Sequence, residues 1–400
     1  MTPVDRSAPP APGPIRPFDF PPVEALEGPA GLPIRLVRLS RLPVATAYLV
    51  IDAGEGALPP ERGGLAMLAG DALQGGTRHR PGAELAEAVE ALGADLSVHV
   101  GWDSAVVSVS ALAERLPEAF ALLGEMLLEP AFPADEVERI RTQRLATIRQ
   151  RAMSPSSLAA DAFVRFAYAE GSSYARPQHG TAASVAGVDR EAVAAYAATH
   201  HRPGRGGLVV AGDVDAREMA ALAGDVLGDW SGTPPEPAPP DDRPRWRERR
   251  VVVVARPGAV QSEIRIGHVG EPRVCDHFFA LRVFNTVLGG AFTSRLNLNL
   301  RERHGFTYGV RSRFSFRRHR GPWTVGTAVE TAVTADAVRE AMSEIERLVA
   351  DGPTDDEVEA ARDYIAGVFP LRLETTGQLA ARVAEVLIYG LPDDYHATYR

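Results

Sequence analysis

Three residues on one predicted helix have the spacing of a metal site but not its side chains. Met67 and Asp71 stand four residues apart, and Gly70 lies between them. Residues at i and i+4 of a helix stack on one face, so two imidazoles at this spacing can hold zinc. A thioether is a poor zinc ligand, one carboxylate does not complete a three-ligand site, and glycine offers no base. The sequence therefore predicts no metal in this chain.

A second pair of residues, Arg301 and Tyr308, could stabilise negative charge. We expect Arg301 near the end of a helix, Gly305 as its C-cap and Tyr308 on the first turn of the next strand. A guanidinium group and a phenol can donate hydrogen bonds to an oxyanion without being consumed. The alternative is structural: Arg301 would cap a helix end and Tyr308 would pack on a sheet.

Other candidate ligands have no spacing that supports a site. A relocated metal site that uses His79, His99, Asp71 or Asp103 is an alternative, although nothing in their spacing argues for it. Cys275 is the only cysteine, so an intramolecular disulfide is impossible, and a small core or near-surface residue is the simplest interpretation.

The adjacent histidines His200 and His201 are predicted to be structural. We expect them on an extended segment, where neighbouring side chains point to opposite faces. Two imidazoles in this arrangement do not converge on one ion.

Composition excludes several classes of function. The net charge is −9 and no basic stripe is present, which argues against a nucleic-acid partner. No stretch approaches the roughly 20 apolar residues that a membrane span needs. The Pro-rich N-terminus has no apolar core of a secretory signal, which favours a cytoplasmic protein and leaves open that a signal was removed.

Proline marks the division of the chain. Six prolines fall between Ser231 and Arg250, which forbids helix interiors and central strands there and predicts an extended linker. We therefore expect a disordered or extended lead-in at 1–22, an N-terminal domain at 23–230, the linker at 231–250 and a C-terminal domain at 251–400.

The two halves follow one predicted order of elements, which indicates an α+β fold with two homologous domains. Each half is predicted to open with β segments, followed by a helix, a strand pair, an amphipathic helix and a proline-started helix. The predicted β segments of the second half include Arg250–Val254 and Glu263–His268. The tetrapeptide Asp-Glu-Val-Glu lies in the first turn of the proline-started helix of each copy, at Asp135 and at Asp356. The second copy has no counterparts of the helix, strand and helix at 190–227, so we expect it to be truncated.

Several segments in order resemble the insulinase and mitochondrial-processing-peptidase family of zinc metallopeptidases. The segment Gly63–Thr77 is similar to that family's zinc-site helix, Gly-Leu-Ala-His-x-x-Glu-His-x-x-x-x-Gly-Thr. Further matches are His201-Arg202-Pro203, Leu288–Leu296 and Leu300–Tyr308. The resemblance covers roughly 34–400. It implies two domains, each a mainly antiparallel sheet packed with helices.

The resemblance places Met67 and Asp71 at the two histidine positions and Gly70 at the position of the catalytic glutamate. The family's third ligand is a glutamate of a later helix, where this chain has Ala146-Thr147-Ile148. All three ligand positions and the base thus depart from the family pattern. The joint loss points to a subunit that does not bind zinc.

Arg301 and Tyr308, in contrast, match the family's Arg…Tyr pair. In the family both side chains reach the zinc site of another domain or subunit and donate to the substrate backbone. The resemblance therefore implies a non-catalytic subunit of a heteromeric zinc endopeptidase, which binds an extended peptide and serves a zinc-bearing homologous partner. The alternatives are a peptide-binding or scaffold protein without proteolytic role, and a free-standing enzyme with a rearranged metal site.

Overall fold

A computed structural model describes Gly13 and residues 15–398 of the chain. The elements of the first half are, in chain order, β1 (Glu24–Glu27), β2 (Pro33–Arg38), β3 (Val44–Ile51), α1 (Leu65–Leu73), α2 (Gly82–Ala91), β4 (Asp95–Val100), β5 (Ala105–Leu112), α3 (Leu116–Leu128), α4 (Ala134–Met153), α5 (Pro155–Ala167), α6 (Ala182–Ala186), α7 (Arg190–His200), β6 (Gly207–Gly212) and α8 (Ala216–Leu227). The second half adds β7 (Gln261–Val269), α9 (Phe278–Asn285), β8 (Val310–Phe314), β9 (Pro322–Glu330), α10 (Thr334–Asp351), α11 (Asp355–Leu371) and α12 (Thr376–Tyr389).

The first half is built on a six-stranded sheet in the order β1-β2-β6-β3-β5-β4. Only β2 and β6 pair in parallel. The side chains of β6 alternate between two cores: Leu208 and Val210 face the helices α1, α3, α4, α7 and α8, whereas Val209 and Ala211 face α12. Apolar residues on both faces are what a central strand requires.

The second half repeats part of this plan. Its three-stranded antiparallel sheet has the order β7-β9-β8. In chain order these strands correspond to β3, β5 and β4, which lie in the same spatial order in the first sheet. Strands β4 and β8 are each followed by their hairpin partner and then by an amphipathic helix, α3 or α10. The expected α+β architecture with mainly antiparallel sheets is confirmed.

The two halves exchange equivalent helices. Helix α5 follows α4 and packs against β7 and β9 of the second sheet, whereas α12 follows α11 and packs against β3 and β6 of the first. Polar contacts accompany both exchanges, since Thr46 hydrogen-bonds Thr376 at 2.8 Å and Arg265 donates to Ser156 at 2.8 Å. Each sheet is therefore completed by a helix from the other half.

Two sequence expectations about strands are wrong in detail. Arg250–Val254 forms no strand, and Val251 and Val253 are 90% and 83% exposed. By position this segment corresponds to β2, whose partners are β1 and β6, and the described part of the second sheet has no counterpart of either. Strand β8 begins at Val310, so Tyr308 lies in the turn before it and not on its first residues.

The Pro-rich segment 231–250 contains no helix or strand. Its far end is held in place: Ala169 donates to the Arg243 carbonyl at 2.9 Å and Arg320 donates to Asp242 at 3.0 Å. Of the predicted lead-in, residues 1–12 and 14 lie outside the described residues, and Phe20 stacks on His396 with ring centroids 5.0 Å apart. The domain limits remain a prediction. Among the described helices, none combines the length and apolar character of a membrane span.

Candidate functional site

A buried ion pair anchors the start of α1. Glu55 is fully buried, and its carboxylate accepts backbone N–H groups of Gly64 and Met67 at 3.0 Å each. Arg176 donates to the same carboxylate at 2.9 Å. Burial raises the pKa of Glu55, while Arg176 and the two N–H groups oppose that shift. A carboxylate at a helix N-terminus satisfies donors that have no partner within the helix. No local motif in the sequence indicated this pair.

The helix so anchored carries the degenerate ligand positions, and their surroundings do not fit zinc. Asp71 accepts from Arg144 of α4 at 2.5 Å. A Cβ on Gly70 would lie 2.6 Å from Val100 Cγ2 of β4, so a side chain at the base position has no room unless Val100 or its strand shifts. Met67 is half-buried and packs on the first core. A permanent cation therefore stands beside the one carboxylate that could ligate a metal.

The segment of α4 that corresponds to the family's third zinc ligand also lacks a side chain that could bind zinc. In α4 the Thr147 hydroxyl donates to the Gln143 carbonyl at 3.0 Å, and Ile148 packs on the first core. Neither side chain offers a carboxylate, imidazole or thiolate ligand to zinc.

The alternative metal residues are not brought together. His79 contacts Glu129 at 3.0 Å, Asp103 accepts the Arg318 backbone N–H at 3.0 Å, and His99 is exposed on β4. Within the described residues, no group of three or more His, Cys, Asp or Glu side chains could hold a metal ion. The half-buried Cys275 is consistent with its predicted near-surface place.

The segment that carries Arg301 is helical in an unusual way. After α9 the chain forms π-helical turns at Thr286–Gly290 and Asn297–Arg303. Gly305 then ends the helix with a positive φ of 63°, as predicted for its C-cap. Short π-helical segments are frequent at functional sites.

The Arg301 side chain stacks on the aromatic ring of Phe292 and does not cap a helix end. Its guanidinium carbon lies 4.1 Å from the ring centroid of Phe292, and its Nε lies 3.4 Å from Glu302. Phe292 is itself 67% exposed. Cation–π stacking of this kind orients a guanidinium while its outer N–H groups still face solvent. Phe292 was not singled out from the sequence, although it lies within the segment Leu288–Leu296.

Tyr308 is fully exposed, although the backbone around it is fixed. Its relative exposure is 100%. On either side, the Thr307 hydroxyl accepts the N–H of Gly309 at 3.1 Å, and Thr327 donates to Thr307 at 2.9 Å. The phenol packs on no sheet, so the structural alternative for Tyr308 finds no contact in its favour.

Asn297 ties this segment to β8, and sequence reasoning missed it. Its amide N–H groups donate to the Val310 carbonyl at 3.0 Å and the Ser294 hydroxyl at 3.0 Å, and its carbonyl oxygen accepts from the Val310 N–H at 3.2 Å. Asn297 is buried, so these bonds hold the Arg301 helix at a set distance from the turn that bears Tyr308.

No hydrogen bond or ion pair connects Arg301 or Tyr308 with α1 or α4 among residues 15–398. The two predicted sites are thus not assembled into one centre by this chain. The Tyr308 side chain is fully exposed and the Arg301 side chain is 31% exposed, so a second molecule can reach both.

The expected geometry of the histidine pair is wrong, although a structural role fits. His200 is the last residue of α7 and His201 follows it, so neither lies on an extended segment. Both rings contact Tyr196, with centroids 4.4 Å and 5.8 Å from its ring. Burial lowers the pKa of His201 to about 4, which keeps the imidazole neutral near pH 7.

Comparison with known proteins gives consistent matches. A family model described as "Insulinase (Peptidase family M16)" matches residues 37–177, and one described as "Peptidase M16 inactive domain" matches residues 187–365. An uncharacterized zinc protease of Streptomyces coelicolor is 25% identical over 362 residues, which cover 89% of this chain and 78% of that protein.

Two further similarities concern proteins described as inactive. A Helicobacter pylori protein named a non-peptidase homolog is 23% identical over 360 residues, which cover 89% of this chain and 82% of that protein. A Pseudomonas fluorescens crystal structure described as a peptidase M16 inactive domain superposes with a TM-score of 0.82 at 24% identity, covering 94% of this chain and 89% of that one. At this identity the structural match shows the fold.

Proposed function

Since the chain belongs to the insulinase family of peptidases, as a member of the inactive type, we propose that it is the non-catalytic subunit of a heteromeric zinc endopeptidase. In this role it binds an extended peptide and supplies Arg301 and Tyr308 to the zinc site of a homologous partner. The observation that carries the proposal is the fully exposed Tyr308 phenol on a turn whose backbone is hydrogen-bonded in place.

The chemistry of this chain alone supports a division of labour. Met67, Gly70 and the Asp71–Arg144 ion pair leave no donor set for zinc and no general base. Arg301 and Tyr308 can each donate to a carbonyl oxygen that gains negative charge, but neither can attack the carbonyl carbon. The nucleophile and its activation must then come from another polypeptide.

The surface around the pair favours contact with another molecule. Leu298 and Phe292 are 52% and 67% exposed beside Arg301, and Tyr308 adds a third exposed apolar surface. Large apolar side chains exposed beside oriented donors are typical of binding sites. A partner or peptide that covers them would also desolvate Arg301 and strengthen its hydrogen bonds.

The edge of the first sheet suits an extended peptide. Strand β4 is an edge strand that pairs only with β5, and α1 packs beside it. A peptide that adds to such an edge gains backbone hydrogen bonds without a fixed sequence. The Leu96 and Val100 carbonyls accept from the side chains of Gln74 and Gln178, so an incoming strand has to displace these two amides.

Peptide cleavage by a reconstituted mixture tests the proposal. The chain is purified alone, a homologue with an intact His-x-x-Glu-His motif is purified alone, and the two are mixed. We expect cleavage only in the mixture. Tyr308→Phe should lower kcat of the mixture on the order of 100-fold, because it removes one oxyanion donor. Tyr48→Phe, which removes a phenol from β3, is the matched control.

Three results would contradict the proposal. Peptide turnover by the purified chain alone would show that it carries its own nucleophile. Stoichiometric zinc in the chain alone would revive a rearranged metal site. Normal cleavage by a mixture that contains Tyr308→Phe would remove the role of the phenol and favour the scaffold alternative.

A further inference from the structure

A cavity of about 410 Å³ lies in the second half between α9, α11, α12 and β8. In chain order α9 and α11 are the counterparts of α1 and α4, and β8 is the counterpart of β4. The cavity therefore occupies the place that corresponds to the degenerate zinc site of the first half. Its volume is in the range of pockets that hold small molecules.

The charges that line the cavity are unbalanced. Five arginines and a single carboxylate, Glu385, reach it: Arg273, Arg282, Arg313, Arg372 and Arg382. Glu385 is engaged by Arg382 at 2.7 Å. In the described part of the chain, no carboxylate lies within ion-pair distance of Arg273, Arg313 or Arg372. The cavity thus carries a net positive charge.

Arg273 is the innermost of these cations. It is 5% exposed, and its guanidinium carbon lies 3.8 Å from the ring centroid of Phe278 and 4.9 Å from that of Tyr395. A guanidinium group does not lose its proton in proteins, so burial cannot neutralise it. Ring faces compensate only part of the lost hydration. A bound anion would supply the missing counter-charge.

The walls of the cavity are aromatic. The rings of Phe278 and Phe316 lie 4.8 Å apart, and Phe314 stacks on Phe316 at 5.3 Å. Tyr364 adds another ring from α11. Flat apolar groups pack well against such walls, whereas an inorganic anion would fill little of the volume.

We propose that this cavity binds a small anion in which a phosphate or carboxylate group is attached to a flat apolar group. The acidic group meets the guanidinium of Arg273, with Arg313 and Arg372 at the exposed rim, because planar guanidinium forks match the oxygens of phosphate and carboxylate. The flat group lies against Phe314 and Phe316. This inference concerns the second half alone and does not depend on the proposed proteolytic role.

Isothermal titration calorimetry of the whole chain with four small molecules tests the proposed anion site. Phenyl phosphate and benzoate carry both features, inorganic phosphate carries only the charge, and phenol carries only the ring. We expect phenyl phosphate or benzoate to bind more tightly than inorganic phosphate, and phenol to give no saturable heat. The comparison of phenyl phosphate with benzoate tells which acidic group the site prefers. Affinity should fall as salt is raised.

Variants at the rim decide whether the cavity is the site. Arg313→Gln and Arg372→Gln should each weaken binding about tenfold, because each removes a charge-assisted hydrogen bond. Arg362→Gln removes an exposed charge on the same helix α11 outside the cavity and should leave the affinity unchanged. Both rim arginines are exposed, so the fold should survive, and circular dichroism checks it.

The proposal is overturned if no probe binds the wild-type chain at millimolar concentration. It is also overturned if Arg362→Gln weakens binding as much as the rim variants, since that result indicates general attraction to a basic surface. Saturable binding of phenol with the affinity of phenyl phosphate would show an apolar pocket and not an anion site.

Discussion

Single side chains determine what the first half can hold. The Arg144 guanidinium pairs with Asp71 in the gap between α1 and α4, so the carboxylate needs no metal for charge compensation. In the second half five arginines line the corresponding gap, and three of them, Arg273, Arg313 and Arg372, have no carboxylate within ion-pair distance among the described residues. Each half thus has cations in this gap, but the second half leaves Arg273, Arg313 and Arg372 without a carboxylate partner in the described part of the chain.

At this scale His201 makes stability depend on pH. Burial lowers its pKa from 6.5 to about 4, so the folded state takes up a proton later than the unfolded chain as pH falls. The stabilisation is complete above pH 6.5 and is lost between pH 6.5 and 4. It amounts to about 3 kcal/mol.

Urea titrations at several pH values measure this contribution. In His201→Gln the free energy of unfolding should fall less steeply between pH 6.5 and 4 than in the wild type, by about 3 kcal/mol over the range. His99→Gln, on the exposed edge strand β4, should keep the wild-type slope. Equal slopes for the wild type and His201→Gln would mean that the imidazole takes up its proton at the same pH in the folded and the unfolded state, so that burial does not lower its pKa.

At the scale of elements, the close approach of α1 and β4 is decided by Gly70. Because glycine has no Cβ, the helix lies directly on Val98 and Val100. The same contact that seats α1 on the sheet also removes the space for a catalytic glutamate. The absence of a side chain at position 70 therefore both removes the catalytic base and allows the helix to pack on the sheet. We expect that replacing residues 67, 70 and 71 alone would not rebuild the site.

Gly70→Ala tests this packing. We expect the free energy of unfolding to fall by about 1–3 kcal/mol, because the new Cβ would lie 2.6 Å from Val100 Cγ2 and 3.2 Å from Val98 Cγ1. Gly224→Ala in α8 is the matched control: its Cβ would meet nothing within 4 Å, and it should stabilise by up to about 1 kcal/mol. If both variants stabilise the protein, α1 and β4 have room to separate.

At the scale of the whole molecule, the exchange of α5 and α12 couples the two halves. Leu379 and Val383 of α12 are buried against Val37, Val50 and Val209 of the first sheet. The loop between β8 and β9 adds a polar lock, in which Arg318 donates to Asp52 at 2.7 Å. A substitution that weakens the packing of α12 should therefore also lower the stability of the first sheet.

Leu379→Ala tests this coupling by hydrogen exchange. We expect a loss of about 2–5 kcal/mol and faster amide exchange in β3 and β6, although the substitution lies in the second half. Leu371→Ala, at a leucine 61% exposed at the end of α11, should change neither quantity. Faster exchange confined to α12 would show that the first sheet does not depend on this helix.

Local patterns in the sequence determined much of the secondary structure and the character of the first site. The helix, strand and helix at 190–227 were predicted, Gly305 was identified as a C-cap, and Met67 and Gly70 excluded a zinc ligand and a base. These features depend on residues within one or two turns of each other, so their physical causes are present in a short window.

Only the tertiary structure decided which distant groups meet. The Glu55–Arg176 and Asp71–Arg144 pairs, the exchange of α5 and α12, the absence of the predicted strand at Arg250–Val254 and the exposure of Tyr308 all depend on residues far apart in the chain. A side chain carries no local sign of the partner that will neutralise or bury it, because that partner is set by how sheets and helices stack. The arginine-lined cavity could not be predicted from the sequence either, because its walls come from four separate elements.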